Sequence, residues 1–112
     1  MRAAILLVGE YPPLLSTRVE LLSDWNVVAV NPRSAPEALR ESQYDLLIFC
    51  QSVSDSTAES LIALATKLHP GVKVLALSYD GEQRRLGTTT FTSDIYKPEL
   101  LRDAVARVLS AT

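Results

Sequence analysis

The sequence alternates between short apolar runs and longer stretches in which apolar residues recur every three or four positions. The runs at 3–8 and 44–50 are apolar at nearly every position, which is typical of parallel strands buried on both faces by helices. Three further runs, at 27–30, 72–77 and 91–96, predict additional strands, and the last of these is the least well marked.

Helices are predicted between these runs. Apolar residues recur at helical spacing over 14–25, and a short helix is predicted to end near Ser42. Two capping boxes, Ser34 to Glu37 and Ser56 to Glu59, are predicted to mark helix starts. The final helix begins near Pro98 and has an apolar face formed by Leu101, Ala104, Val105 and Val108.

This alternation predicts an α/β fold in which a doubly wound parallel sheet of five strands carries helices on both faces. The chain has 112 residues, so we expect a single domain spanning 1–112. The segment 80–86 has room for two helical turns only, so the fourth helix is predicted to be short.

Composition excludes several classes of function. The net charge of −2 gives no general basis for binding nucleic acid or acidic membranes. The first apolar run stops at Gly9, which is too short for a signal peptide or a membrane span. The single cysteine can form neither an internal disulfide nor a thiolate zinc site, which suits a reducing cytoplasm.

The candidate chemistry centres on Cys50, because the run at 44–50 delivers its last side chain to the carboxyl edge of the sheet, where ligands bind in open α/β folds. One histidine and one cysteine at these positions cannot assemble a nucleophile, a base and an orienting group, so we expect no enzymatic activity. His69, at a helix end before Pro70, is expected to be solvated, as are Arg84 and Arg85.

Three stretches, at 5–10, 44–50 and 94–98, resemble the response-regulator receiver domain, and the resemblance extends over essentially the whole chain. It implies a flavodoxin-like sheet with the strand order 2-1-3-4-5. It also implies a pocket at the positions of five residues: the acidic pair at Gly9 and Glu10, the phosphoacceptor at Cys50, the hydroxyl at Ser78 and the lysine at Lys97. The switch aromatic of the family corresponds to Asp94.

This sequence retains only half of the family's pocket residues. Gly9 replaces a metal-binding carboxylate and Cys50 replaces the phosphoacceptor aspartate, so we expect no bound metal, no cofactor and no catalytic residue. Lys97 is expected to pair with Glu10, the remaining acid of the pocket. The resemblance therefore implies a degenerate receiver, or pseudo-receiver, that serves two-component or phosphorelay signalling by binding proteins without being phosphorylated.

The implied partners are a kinase, an output domain or a second copy of the chain. In the family, dimers and partners commonly use the fourth helix, fifth strand and fifth helix, which correspond here to 80–109. Two alternatives remain open at this point. Cys50 could serve as a redox sensor if Lys97 favours its thiolate, or the vacated pocket could bind a small molecule.

Overall fold

A computed structural model describes residues 2–78, 90–94 and 98–110; for residues 90–94, 98 and 99 the description is limited to the backbone. Strands and helices follow one another along the chain as β1 (Ala4–Val8), α1 (Pro12–Leu21), β2 (Asn26–Val30), α2 (Ala35–Glu41), β3 (Leu46–Phe49), α3 (Asp55–Leu68), β4 (Lys73–Ser78), β5 (Thr90–Asp94) and α4 (Pro98–Ser110). Among the described residues, no helix is long and apolar enough to cross a membrane.

The strands form one sheet in the order β2-β1-β3-β4-β5, and each neighbouring pair is parallel. The prediction of an α/β fold with a parallel sheet is confirmed. Because every strand runs in the same direction, the loops after β1, β3 and β4 all leave at the carboxyl edge. The predicted short helix at 80–86 lies outside the described residues.

Two apolar clusters fill the space on the two faces of the sheet. One contains Leu6 and Phe49 of the sheet and packs against α2 and α3. The other contains Leu7 and Ile48 and packs against α1 and α4. The predicted apolar face of α4 is confirmed, since all four of its members are at most 9% exposed: Leu101, Ala104, Val105 and Val108.

Both predicted capping boxes are wrong. Ser34 precedes α2, but its side chain caps nothing, and its backbone N–H donates to Asn31 Oδ1 at 2.8 Å instead. The helix predicted to start after Ser56 begins earlier, at Asp55, and its N-cap is Ser54, whose hydroxyl accepts from Thr57 N–H at 3.3 Å. A serine three residues before a glutamate occurs in both places, but the true cap depends on where the preceding loop turns.

The prediction about the end of α3 is also wrong. His69 is not solvated: its ring Nε2 lies 2.8 Å from the carbonyl oxygen of Leu39, and the ring meets Tyr44 edge to face. The helix ends at Leu68, so the chain turns there and carries the histidine inward toward the end of α2.

Candidate functional site

Cys50 is the first residue after β3 and lies at the carboxyl edge, as predicted. Its backbone N–H donates to the carbonyl oxygen of Val8 at 2.9 Å, which extends the β1–β3 pairing by one step. The side chain is 3% exposed and belongs to the apolar cluster under α1 and α4. A thiol in such surroundings behaves as a small hydrophobic group.

Gly9 lies directly against this thiol. Its N–H donates to the carbonyl oxygen of Val30 at 3.0 Å, so its backbone is fixed by the sheet. A Cβ atom built on Gly9 would lie 2.8 Å from Cys50 Sγ and 2.8 Å from Leu15 Cδ2, closer than real Cβ contacts. The position that would hold a carboxylate in a phosphorylatable pocket is therefore occupied by neighbouring apolar side chains.

Glu10, the next residue, is exposed and faces a different space. It lines an open groove of about 540 Å³ at the carboxyl edge, together with Asn31, Pro32, Arg33 and Thr57. Gly9 and Glu10 are adjacent in sequence, but Glu10 turns to this groove while Gly9 packs against Cys50. The groove carries one acidic and one basic side chain, both in contact with solvent.

Ser78 ends β4, as predicted, and is 6% exposed. Its hydroxyl oxygen is buried and has no hydrogen-bond partner among the described residues. A buried hydroxyl without a partner is costly, and in native structures such a group calls for an explanation such as a catalytic role or contact with an ion or water.

The other two positions of the predicted pocket are less fully described. Lys97 lies outside the described residues, so its pairing with Glu10 stays a prediction. Asp94 is the last residue of β5, and its backbone pairs with Ser78, which places it at the same carboxyl edge. Arg84 and Arg85 also lie outside the described residues.

Sequence reasoning missed Arg18, which projects from α1 and is 6% exposed. Its Nη2 donates to Gln51 Oε1 at 3.1 Å, and its Nη1 is buried with no partner among the described residues. Since a guanidinium is always charged, Arg18 is a buried cation. Among the described residues, its partner is the neutral side chain of Gln51, the residue that follows Cys50. Leu15 and Leu22 lie three positions before it and four after it, and this spacing places Arg18 on the buried face.

The described residues do not fit the magnesium ion of a phosphorylatable receiver. No group of three or more His, Cys, Asp and Glu side chains in this part of the chain could hold a metal. Mg²⁺ prefers hard oxygen ligands, and the two positions nearest the edge of β1 and β3 offer a glycine and a buried thiol. Glu10, the carboxylate next to Gly9 in the sequence, faces the groove instead.

Comparison of the fold with solved structures gives a consistent answer. The chain superimposes on a response regulator receiver protein from Sinorhizobium medicae WSM419 with a TM-score of 0.78 and 20% identity, covering 98% of this chain and 96% of that one. The match to the chemotaxis protein CheY4 of Vibrio cholerae has a TM-score of 0.76 and 16% identity, covering 96% and 99%. This chain has the receiver-domain fold.

The same fold occurs in a candidate pilus assembly protein (cpaE) from Burkholderia thailandensis, with a TM-score of 0.72 and 21% identity, covering 97% of this chain and 99% of that one. No family model matches the sequence, and a comparison with curated proteins finds no match. The likeness therefore establishes the receiver fold over nearly the whole chain, and function has to be argued from the site.

Proposed function

We propose that this protein is a degenerate receiver domain that acts in signal transduction by binding other proteins, without phosphorylation at the usual site. The observation that carries this proposal is the contact between Gly9 and Cys50. The two positions that would supply a metal ligand and the phosphoacceptor instead form a packed apolar contact in a receiver fold.

The chemistry of phosphoryl transfer explains why this contact matters. A carboxylate nucleophile needs a divalent cation beside it to neutralise the phosphoryl oxygens during transfer. The thiol of Cys50 is almost completely removed from solvent, and a lone Glu10 is a weak site for a hard dication. The nucleophile and the metal site depend on each other, so their joint absence supports one interpretation.

A module without phosphorylation would act through its surface. The expected partners are a sensor kinase, an output domain or a second copy of the chain, and the family's usual surface corresponds here to β5 and α4. Leu100 on α4 is 38% exposed and offers an apolar contact on that side. The similarity to a candidate pilus assembly protein means that the fold alone does not select the pathway.

Intact-mass measurement tests the absence of phosphorylation. The protein is incubated with a small phosphodonor and Mg²⁺ beside a receiver that has a complete acidic pocket as positive control. We expect the control to gain one phosphoryl group and this protein to keep its mass. A gain of one phosphoryl group that disappears in Cys50→Ser would show that the thiol accepts phosphate and would overturn the proposal.

The redox alternative has less support, because oxidation-sensitive cysteines are accessible thiolates and Cys50 is 3% exposed. The small-molecule alternative has a possible location in the groove beside Glu10, whose volume of about 540 Å³ is within the usual range for ligand sites. Ligand sites are usually concave and enclosed, whereas this groove is open and has the exposed charged side chains of Glu10 and Arg33 in its lining. A thermal-shift screen without any stabilising compound would count against it.

A further inference from the structure

Arg18 is a buried charge to which its own helix offers no counter-ion. On a helix, side chains three or four positions apart are neighbours and can form ion pairs. At these positions around Arg18 the sequence has only leucine, namely Leu14, Leu15, Leu21 and Leu22. Leu15 and Leu22 also belong to the apolar cluster that contains Cys50. Because a guanidinium stays charged even when it is buried, the compensating negative charge has to come from outside α1.

The hydrogen bonds of this guanidinium are also incomplete. Nη2 donates to Gln51 Oε1 at 3.1 Å, while Nη1 is buried and has no partner among the described residues. Nη1 and Nη2 form one edge of a planar fork, and this geometry matches two oxygen atoms of a single oxyanion. The neutral amide of Gln51 supplies only one oxygen atom to the fork.

Gln51 connects this fork to the carboxyl edge of the sheet. It is the second residue of the loop between β3 and α3, and it is half-buried although it bonds to a buried cation. Rotation of its side chain would free Nη2 and open the fork toward solvent. An oxyanion is a stronger hydrogen-bond acceptor than a neutral amide, so it can take the place of this amide.

We propose that Arg18 binds a small tetrahedral oxyanion of the phosphate class, which displaces the Gln51 amide and accepts hydrogen bonds from Nη1 and Nη2 together. The bound ion supplies both the missing acceptor and the missing negative charge. Chloride would be a poor substitute, because a single spherical ion does not offer two oxygen atoms at the spacing of the fork.

This inference goes beyond the proposed function, since it involves no transfer of a phosphoryl group to Cys50. The ion is held without a covalent bond, so the unfolded protein keeps its unmodified mass. The mass measurement described above and the binding experiments below can therefore fail separately.

Thermal unfolding in Tris chloride buffer tests the site, with phosphate added at constant ionic strength. Up to about 20 mM phosphate, we expect the midpoint of the wild type to rise by about 3–8 °C. The midpoint of Arg18→Met should stay level, and this variant should be the more stable protein only at low phosphate. Arg107→Met, which changes an exposed arginine of α4, is the matched control and should respond like the wild type.

Variants of Gln51 separate an anion site from a structural hydrogen bond. Gln51→Glu keeps the size of the side chain and places a carboxylate beside the guanidinium, so it should have a higher midpoint without phosphate and no further response to it. Gln51→Ala removes the competing amide and should respond at lower phosphate concentrations than the wild type. If the amide had only a structural role, Gln51→Ala would lose stability without any gain in this response.

Nuclear magnetic resonance of the arginine Nε–H groups locates the ion. Phosphate should shift the Arg18 signal, which is identified by its absence from Arg18→Met, and leave the Arg107 signal in place. Methyl phosphate distinguishes two sources of the same chemistry. An equal shift would indicate a phosphoryl group on a larger molecule and a weaker shift a free ion, and both results support the site. Equal responses of the wild type and Arg18→Met to phosphate, or an Arg18 signal that phosphate does not move, would overturn the proposal.

Discussion

Arg18 is a charged side chain in a place where most folds would put an aliphatic one. Its guanidinium is almost fully buried, and within the described part of the chain its hydrogen-bond partner is a neutral amide, so the cost of removing the charge from water is poorly compensated there. This cost belongs to the charged head alone, because the methylene stem of an arginine can be buried favourably beside apolar groups.

We therefore expect Arg18→Met to raise the free energy of unfolding by about 1–3 kcal/mol, because it keeps much of the buried volume and removes a buried charge that has no anionic partner among the described residues. Arg107→Met on the exposed face of α4 is the matched control and should change it by less than about 0.5 kcal/mol. Urea denaturation of the three proteins measures the difference. A loss of stability in Arg18→Met would mean that an anionic group pairs with the guanidinium in solution.

Tyr44 makes the stability of the fold depend on pH in the alkaline range. Burial raises the pKa of its phenol above the usual 10.0, the Glu41 carboxylate raises this pKa further, and a hydrogen bond with Ser42 opposes the shift. The unfolded chain therefore loses the proton first. The contribution of Tyr44 to stability is complete below pH 10.0 and is lost as the pH rises through the pKa of the folded state.

Urea denaturation at about pH 9 and about pH 11 checks this expectation. Other tyrosines and lysines titrate in the same range, so the informative quantity is the difference between the wild type and Tyr44→Phe. We expect the wild type to lose more stability over that interval than the variant. Equal losses would show that the phenol ionises as easily in the folded protein as in the unfolded chain.

The location of a single residue could be predicted from the sequence where its position along a strand determines it. Cys50 and Ser78 are at the strand ends predicted for them, because parallel register leaves few alternatives. Arg18 and His69 were missed for the opposite reason. Their burial depends on which side of a helix or turn faces the sheet. Charged and polar residues are mostly exposed in proteins, so their residue types predicted exposure for both.

Among the helices, α2 and α3 begin in different ways, although both follow a serine. The Ser54 hydroxyl accepts a backbone N–H of the first turn of α3, whereas the Ser34 hydroxyl makes no such bond at α2. The α2 start instead uses the side chain of Asn31, which accepts from Ser34 N–H. The two serines thus provide an internal comparison of a true cap with an apparent one.

We expect Ser54→Ala to lower the free energy of unfolding by about 1 kcal/mol, within the usual range for losing an N-cap. Ser34→Ala is the matched control and should have little effect, because no cap hydrogen bond is lost. Thermal and urea unfolding of both variants measure this. Similar losses in the two variants would show that the Ser34 hydroxyl also contributes to capping.

The existence and type of these elements could be predicted, but their ends could not. The helix predicted over 14–25 spans Pro12–Leu21, since both prolines fit inside its first turn and the last predicted turn unwinds before β2. The start of α3 differs similarly, since the helix begins at Asp55 rather than after Ser56. Helix ends depend on loop hydrogen bonds that involve residues some distance apart, and periodicity contains no information about them.

At the scale of the whole molecule, the position of Cys50 makes it a reporter of unfolding. The thiol is enclosed by α1, α4 and the sheet, so a reagent reaches it only when these layers separate. We expect alkylation at neutral pH to be slow in the native protein and to accelerate with urea along the same curve as circular dichroism. The fully unfolded protein gives the reference rate.

Rapid alkylation of Cys50 without urea would contradict this expectation and would favour the redox alternative. The experiment therefore separates an enclosed thiol from a reactive one without any assumption about phosphorylation. It also shows whether the layer over the carboxyl edge opens on its own or only together with the rest of the fold.

The architecture of the molecule was more predictable than its site. Alternating apolar runs and amphipathic helices indicate a parallel α/β sheet, because right-handed crossovers leave few other arrangements. The departures at Gly9 and Cys50 are visible in the sequence, but their direct contact is not. That contact depends on how closely β1 and β3 approach and on the glycine backbone that allows it.

The close approach of Gly9 and Cys50 also limits what a single substitution can achieve. Gly9→Asp alone would force a Cβ atom into the sulfur atom, and Cys50→Asp alone would bury a carboxylate among leucines. Under the proposed function, engineering a phosphorylatable pocket into this protein would therefore require both positions to change together.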